Sequence, residues 1–143
     1  MKRKILLYGD LNLNIVDGSS VWLMSLAKLL AKDIDNVVDI LLKEKITNNI
    51  LIKELVQYEN ISILNVDEYI PKEKSVDLTN IVKVLKKIDG LRDYSCIIVR
   101  GFGAVNTIVK EKQIAEKLIP YLTDFCHDRE KITEEEKQKL IYI

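Results

Sequence analysis

Short apolar runs of strand type alternate with segments of helical period along the chain, and this alternation limits the fold most. The first run, Ile5-Leu6-Leu7-Tyr8, stops at Gly9, and Trp22, Leu23 and Leu26 then repeat with helical spacing. Strands separated by helices pair in parallel, and strands without polar alternation are buried on both faces. The pattern predicts a doubly wound, Rossmann-like α/β domain with strand one at the centre of a mainly parallel sheet and helices on both faces.

The remaining elements follow from the same periodicities. Four further strands are predicted at 37–42, 61–66, 96–99 and 118–125. The first helix is predicted to begin at residues 18–20, with Asp17 or Ser19 as its N-cap. Later helices are predicted from Thr47, over 78–88 with Gly90 as the closing glycine, within 105–117, and from Thr133 in a capping box with Glu136.

Length and charge exclude several classes of protein. The 143 residues are enough for one domain, and 22 basic residues balance 22 acidic ones. A chain of zero formal charge has no overall attraction for nucleic acid, so no nucleic-acid partner is predicted. Two cysteines, Cys96 and Cys126, are a poor disulfide framework, and we expect reduced thiols, no bound metal and a cytoplasmic location.

The stretch Asp17-Gly18-Ser19-Ser20 lies between the first strand and the first helix. A glycine there permits close backbone approach, and a helix N-terminus offers free N–H groups to a phosphate or a sugar hydroxyl. Ordinary helix capping explains the same residues, and both interpretations stay open.

Arg100-Gly101-Phe102 follows the fourth strand. An arginine at the carboxyl end of a strand, next to a glycine, can present its guanidinium to an anion. The alternative is an arginine in an ion pair at the rim of the sheet.

Cys126-His127-Asp128 follows the fifth strand and contains the only histidine of the chain. His127 is a candidate proton carrier or hydrogen-bonding contact to a ligand, with an ordinary loop residue as the alternative. Adjacent side chains of an extended segment point to opposite sides, which disfavours zinc and a Cys–His nucleophile pair. The glycine-rich dinucleotide and phosphate-loop motifs are missing, and Asp10-x-Asn12-x-Asn14 lacks the glycine and glutamate of a calcium loop, so no cofactor is predicted.

Several of these segments together resemble family 4 glycosyltransferases. The first part of the chain is similar to the start of such enzymes. It consists of residues 4–10, a polar loop and the stretch Asp17-Gly18-Ser19-Ser20-Val21-Trp22-Leu23, followed by a later Leu-Ala. Residues 99–102 and 121–128 resemble their segments after strands four and five. Many members have Gly-Gly where this chain has Asp17-Gly18, and a histidine where it has Arg100.

The resemblance implies the N-terminal, acceptor-side half of a two-domain (GT-B) retaining glycosyltransferase. Residues 1–143 would then form one domain, and a C-terminal nucleotide-sugar domain would lie outside this chain, as the uncapped apolar end at 140–143 also suggests. The implied partners are a nucleotide-sugar donor, a saccharide or lipid-linked acceptor and the second domain, in the cytoplasm or at the inner face of its membrane. This half alone would be inactive.

The resemblance assigns the site residues as follows. His127 and Arg100 would be catalytic, and donor or acceptor would contact Asp17, Gly18, Ser19, Ser20, Gly101, Phe102 and Asp128. The alternative is a stand-alone α/β ligand-binding or receiver-like module, with Asp10 after strand one and Asp67 after strand three as its acidic residues.

Overall fold

The computed structural model describes residues 2–121, so Cys126, His127, Asp128 and the helix predicted from Thr133 lie outside the described residues. The strands are β1 (Arg3–Gly9), β2 (Asn36–Leu41), β3 (Ile61–Leu64), β4 (Cys96–Arg100) and β5 (Leu118–Tyr121). The helices are α1 (Gly18–Ala31), α2 (Ile52–Leu55), α3 (Ile81–Arg92), α4 (Phe102–Ile108) and α5 (Lys112–Ala115), and a 3-10 turn covers Val66–Glu68.

The five strands form one sheet in the order β3-β2-β1-β4-β5, and every neighbouring pair is parallel. This order is the Rossmann order, and β1 is the central strand. The predictions of a doubly wound α/β fold and of a central first strand are confirmed.

Both faces of the sheet are covered by helices. Successive β1 residues point to opposite faces, so Leu6 and Leu7 are both fully buried but belong to different cores. Leu7 lies in the core under α1 and α2, whereas Leu6 lies in the core under α3, α4 and α5. Burial on both sides explains why β1 reads as an unbroken apolar run.

Helix α1 begins at Gly18, as predicted, and Asp17 is its N-cap. The Asp17 carboxylate accepts a hydrogen bond from the Ser20 backbone N–H at 2.9 Å. A carboxylate at this position satisfies one of the N–H groups that the first helical turn leaves without an intrahelical partner.

The second helix was predicted from Thr47 but begins at Ile52 and is only four residues long. The N–H groups of Thr47 and Asn48 donate to the side-chain oxygen of Asn14, at 2.7 and 2.9 Å. A partner 33 residues away therefore holds this segment out of the helix, and local periodicity could not reveal it.

Helix α3 starts and ends later than predicted. The Asp77 carboxylate accepts the N–H groups of Thr79 and Asn80, which forms a turn before the helix begins at Ile81. The helix continues through Gly90 and ends where Asp93 adopts a left-handed conformation, with φ of 54°. The prediction that Gly90 closes the helix is wrong, and Asp93 has that role.

The single helix predicted within 105–117 is two short helices. Helix α4 begins earlier, at Phe102, directly after β4, and α5 is separated from it by residues 109–111. Across the break, the Glu111 N–H donates to the Ile108 carbonyl at 3.0 Å. Among residues 2–121, no helix has the length and apolar character needed to cross a membrane.

Candidate functional site

The strand order reverses between β1 and β4, which are neighbours at the centre of the sheet. Gly9 at the end of β1 is in register with Arg100 at the end of β4, and the Asp10 N–H donates to the Arg100 carbonyl at 3.0 Å. Sheets of this type bind ligands beyond the carboxyl ends of their strands at such a reversal. We call this place the crevice and define it by Asp10, Asp17, Lys43, Arg100 and Gly101.

Arg100 lies half-buried over the aromatic side chains of the crevice rim. Its guanidinium carbon is 5.3 Å from the centroid of the Trp22 ring, a cation–π distance. The Trp22 ring in turn packs against Tyr121, with ring centroids 4.5 Å apart. The contact with Trp22 orients the guanidinium of Arg100, the residue to which the sequence resemblance gives a catalytic role.

Asp17 faces the same region from the start of α1. Its pKa is below its ordinary value, mainly because the carboxylate accepts the Ser20 N–H and partly because Arg100 is positively charged. Asp17 is therefore the N-cap of α1, and its carboxylate lies within electrostatic reach of Arg100.

Gly18, Ser19 and Ser20 differ in what they can offer a ligand. The position of a Cβ on Gly18 has no atom within 4 Å, so the backbone here faces open space. Ser19 is half-buried, whereas Ser20 is fully buried and its hydroxyl donates to the Ile15 carbonyl at 2.7 Å. The Ser20 hydroxyl therefore holds the β1–α1 loop, and Gly18 and Ser19 form the accessible part of the stretch.

Gly101 connects β4 to α4 in a conformation that favours glycine, with φ of +118°. A Cβ on Gly101 would lie 2.9 Å from the Asp10 Cβ, closer than side chains allow. Phe102, the next candidate, is half-buried and begins α4. Gly101 is therefore required for Asp10 to lie directly beside the end of β4.

An ion pair that the sequence did not predict lies beside Gly101. Asp10 Oδ1 lies 2.7 Å from Lys43 Nζ, and the Tyr8 hydroxyl lies 3.4 Å from the same oxygen. Burial, followed by the charge of Asp10, raises the pKa of Tyr8, so its phenol stays protonated and donates to the carboxylate. The available signal was that Asp10 and Lys43 each follow a strand of one parallel sheet.

The crevice contains two cations, Arg100 and Lys43, and two carboxylates, Asp10 and Asp17, and Lys43 is paired with Asp10. Sugar hydroxyls both donate and accept hydrogen bonds, so a surface with donors and acceptors side by side suits a hydroxyl-rich ligand, and Arg100 adds a site for an anionic group. Between residues 2 and 121, no three His, Cys, Asp or Glu side chains lie close enough to hold a metal ion. The assignments to His127 and Asp128 concern residues outside the described part of the chain.

No protein-family model matches the chain, and no curated protein matches it in sequence. Among solved structures, the chain is similar to Phytolacca americana UGT2 complexed with UDP-2fluoro-glucose and pterostilbene. The TM-score is 0.44 at 13% sequence identity, and the match covers 85% of this chain and 30% of the other. This chain thus spans less than a third of the length of that protein, and a similarity of this strength does not establish a family.

Proposed function

We propose that this chain is the N-terminal, acceptor-side domain of a retaining glycosyltransferase. The observation that carries the proposal is that Asp10, Lys43 and Arg100 surround the point where the strand order reverses, in a crevice suited to hydroxyl groups and an anion. The sequence resemblance to family 4 glycosyltransferases supports it independently through the segments around Gly18 and Arg100. The nucleotide-sugar domain would follow residue 143.

In the proposed mechanism, the side chains of this domain carry out little proton transfer. Arg100 would contact the anionic part of the donor, and the open backbone at Gly18 and Ser19 would allow the donor or acceptor to approach closely. His127 would contact a saccharide or lipid-linked acceptor in the cytoplasm or at the membrane face. Positioning the two substrates and stabilising charge in an oxocarbenium-like transition state supply the rate enhancement in such a reaction.

The test uses the complete product of the gene and measures sugar transfer from nucleotide-sugars, with NMR assignment of the anomeric configuration of the product. Arg100→Ala should lower kcat/KM roughly ten- to a hundredfold, the effect of losing a charge-assisted hydrogen bond of about 1.5–3 kcal/mol. Arg3→Ala is the matched control, because Arg3 pairs with Asp33 at the amino end of β1, at the other end of the strand from the crevice. Equal activity of the two variants, at matched melting temperature, would contradict the role of Arg100, and absence of any transfer would contradict the function.

The strand order disfavours the receiver-like alternative. Receiver domains of the flavodoxin-like type have the order 2-1-3-4-5, in which strands one and three are neighbours. Here β3 is an edge strand separated from β1 by β2, so Asp67 and Asp10 follow strands that are not adjacent. The two acidic residues of that alternative therefore do not share one site.

A further inference from the structure

We propose that Asp10 and Lys43 form a subsite for a vicinal diol in the crevice, an inference that rests on the proposed function. The pair joins the carboxyl end of β1 to the residue that lies two positions after β2. The side chains retain 28% and 31% of their exposure, so both charged groups can be reached from solvent. An ion pair this exposed contributes little to stability.

Asp10 is positioned by hydrogen bonds of its backbone and its side chain. Its backbone N–H donates to the Arg100 carbonyl at 3.0 Å, and the buried Tyr8 hydroxyl lies 3.4 Å from Oδ1. Gly101 lies directly beside Asp10, since a Cβ on Gly101 would be 2.9 Å from the Asp10 Cβ. Lys43 also approaches Oδ1, which leaves Oδ2 as the carboxylate oxygen with no hydrogen-bond partner among residues 2–121.

Lys43 is positioned by the segment that leads to α3. The Lys43 carbonyl accepts the Val76 N–H at 2.8 Å, and the Lys43 charge lowers the pKa of Asp77, after the larger effect of the hydrogen bond from Thr79. The ammonium is paired with Asp10 Oδ1, and its three N–H donors exceed what that one oxygen accepts.

The charges of the pair cancel, so the subsite favours a neutral ligand over a free anion. One hydroxyl of a diol can donate to Asp10 Oδ2 while its neighbour accepts from Lys43 Nζ, which lies 2.7 Å from Oδ1. A single hydroxyl can engage only one of the two groups at full strength. The ligand chemistry is therefore a vicinal diol, which a hexopyranose and a ribose both carry.

The experiment measures backbone amide chemical shifts of Asp10, Lys43 and Gly101 by NMR in the 143-residue chain. The probes are methyl β-D-galactopyranoside for a hexose diol, uridine for a ribose diol, and 2′,3′-dideoxyuridine as the probe without a diol. We expect saturable shifts with at least one diol probe and none with dideoxyuridine; the responding probe identifies the source. Equal shifts with dideoxyuridine, or no shifts with either diol probe, would overturn the subsite.

Two variants and two matched controls test the residues. Asp10→Asn and Lys43→Met should each weaken diol binding about tenfold, since each removes a hydrogen bond to a charged group. Glu54→Gln and Lys28→Met alter the other 2.7 Å lysine–carboxylate pair, which links α1 to α2, and should leave binding unchanged. Diol binding unaffected by Asp10→Asn and Lys43→Met would refute the assignment, and a melting temperature measured for each variant detects unfolding.

The experiments distinguish a wrong subsite from a wrong proposed function. Nucleotide-sugar transfer by the complete gene product with no diol shifts in this chain would overturn the subsite alone. Diol shifts sensitive to Asp10→Asn without any sugar transfer would overturn the glycosyltransferase proposal and leave a polyol-binding site.

Discussion

At the scale of single residues, one glycine sets the course of the backbone in the crevice. Gly101 has φ of +118° and lies directly against Asp10. Gly18, the glycine that sequence analysis emphasised, has ordinary helical surroundings and open space around it. The two glycines therefore have opposite tolerance of a side chain.

Gly101→Ala should lower the free energy of unfolding by about 1–3 kcal/mol, because alanine is strained at this φ and its Cβ would meet Asp10. Gly18→Ala is the control and should be neutral or slightly stabilising, since alanine is the better helix former by roughly 1 kcal/mol. Urea denaturation of both variants provides the measurement. A Gly101→Ala variant as stable as the parent chain would show that the loop can relax away from this conformation.

At the scale of elements, a buried carboxylate ties β2 to the connection between α3 and β4. Asp39 in β2 is 2% exposed, and its Oδ2 accepts the Tyr94 hydroxyl at 2.6 Å and an Arg92 N–H at 3.2 Å. Burial, then the hydrogen bond to Asp39, raises the pKa of Tyr94, so the phenol remains a donor. A buried carboxylate is tolerated only with such partners.

Tyr94→Phe should therefore lower the free energy of unfolding by about 1.5–3 kcal/mol, because it removes a hydrogen bond to a buried charge. Tyr58→Phe serves as the control, since the Tyr58 hydroxyl makes no hydrogen bond within the described residues. Chemical denaturation at neutral pH measures both. A loss below about 0.5 kcal/mol for Tyr94→Phe would mean that the Arg92 hydrogen bond to Oδ2 is enough to hold the Asp39 carboxylate.

The strands were predictable from sequence because burial on both faces leaves a local signature, and α1 because Asp17 caps it locally. The start of α2 could not be predicted from the sequence, because the Thr47 N–H donates to Asn14, which lies in a loop distant in sequence. Part of the crevice could be predicted, because Arg100 and Gly18 follow strands that the sequence itself reveals. The ion pair of Asp10 with Lys43 could not, because it forms only where β1 and β2 are adjacent in the folded sheet.

At the scale of the whole molecule, folding lowers the pKa of three carboxylates within residues 2–121, those of Asp17, Asp33 and Asp77. The main cause is a hydrogen bond from the Ser20 N–H at Asp17, from the Asp35 N–H at Asp33, and from the Thr79 hydroxyl at Asp77. A group whose pKa is lower in the folded state stabilises it above the unfolded pKa and loses that contribution as the pH falls through the folded value.

We therefore expect the urea midpoint to fall as the pH drops below about 4, where the unfolded chain takes up protons first. Replacing all three residues with asparagine should flatten this dependence, because asparagine can still cap but does not titrate there. Asp67→Asn is the control, as its carboxylate makes no hydrogen bond or ion pair among residues 2–121. An unchanged slope in the triple variant would contradict the assignment of acid sensitivity to these groups.

Trp22 is the only tryptophan in the chain, and its ring contacts both the Arg100 guanidinium and the Tyr121 ring at the rim of the crevice. Indole emission responds to a cation over the ring and to contact with solvent. A ligand that draws the guanidinium away from the indole should therefore alter the fluorescence of the unlabelled protein. The molecule carries its own optical probe of occupancy, with which ligands can be screened before any reaction is known.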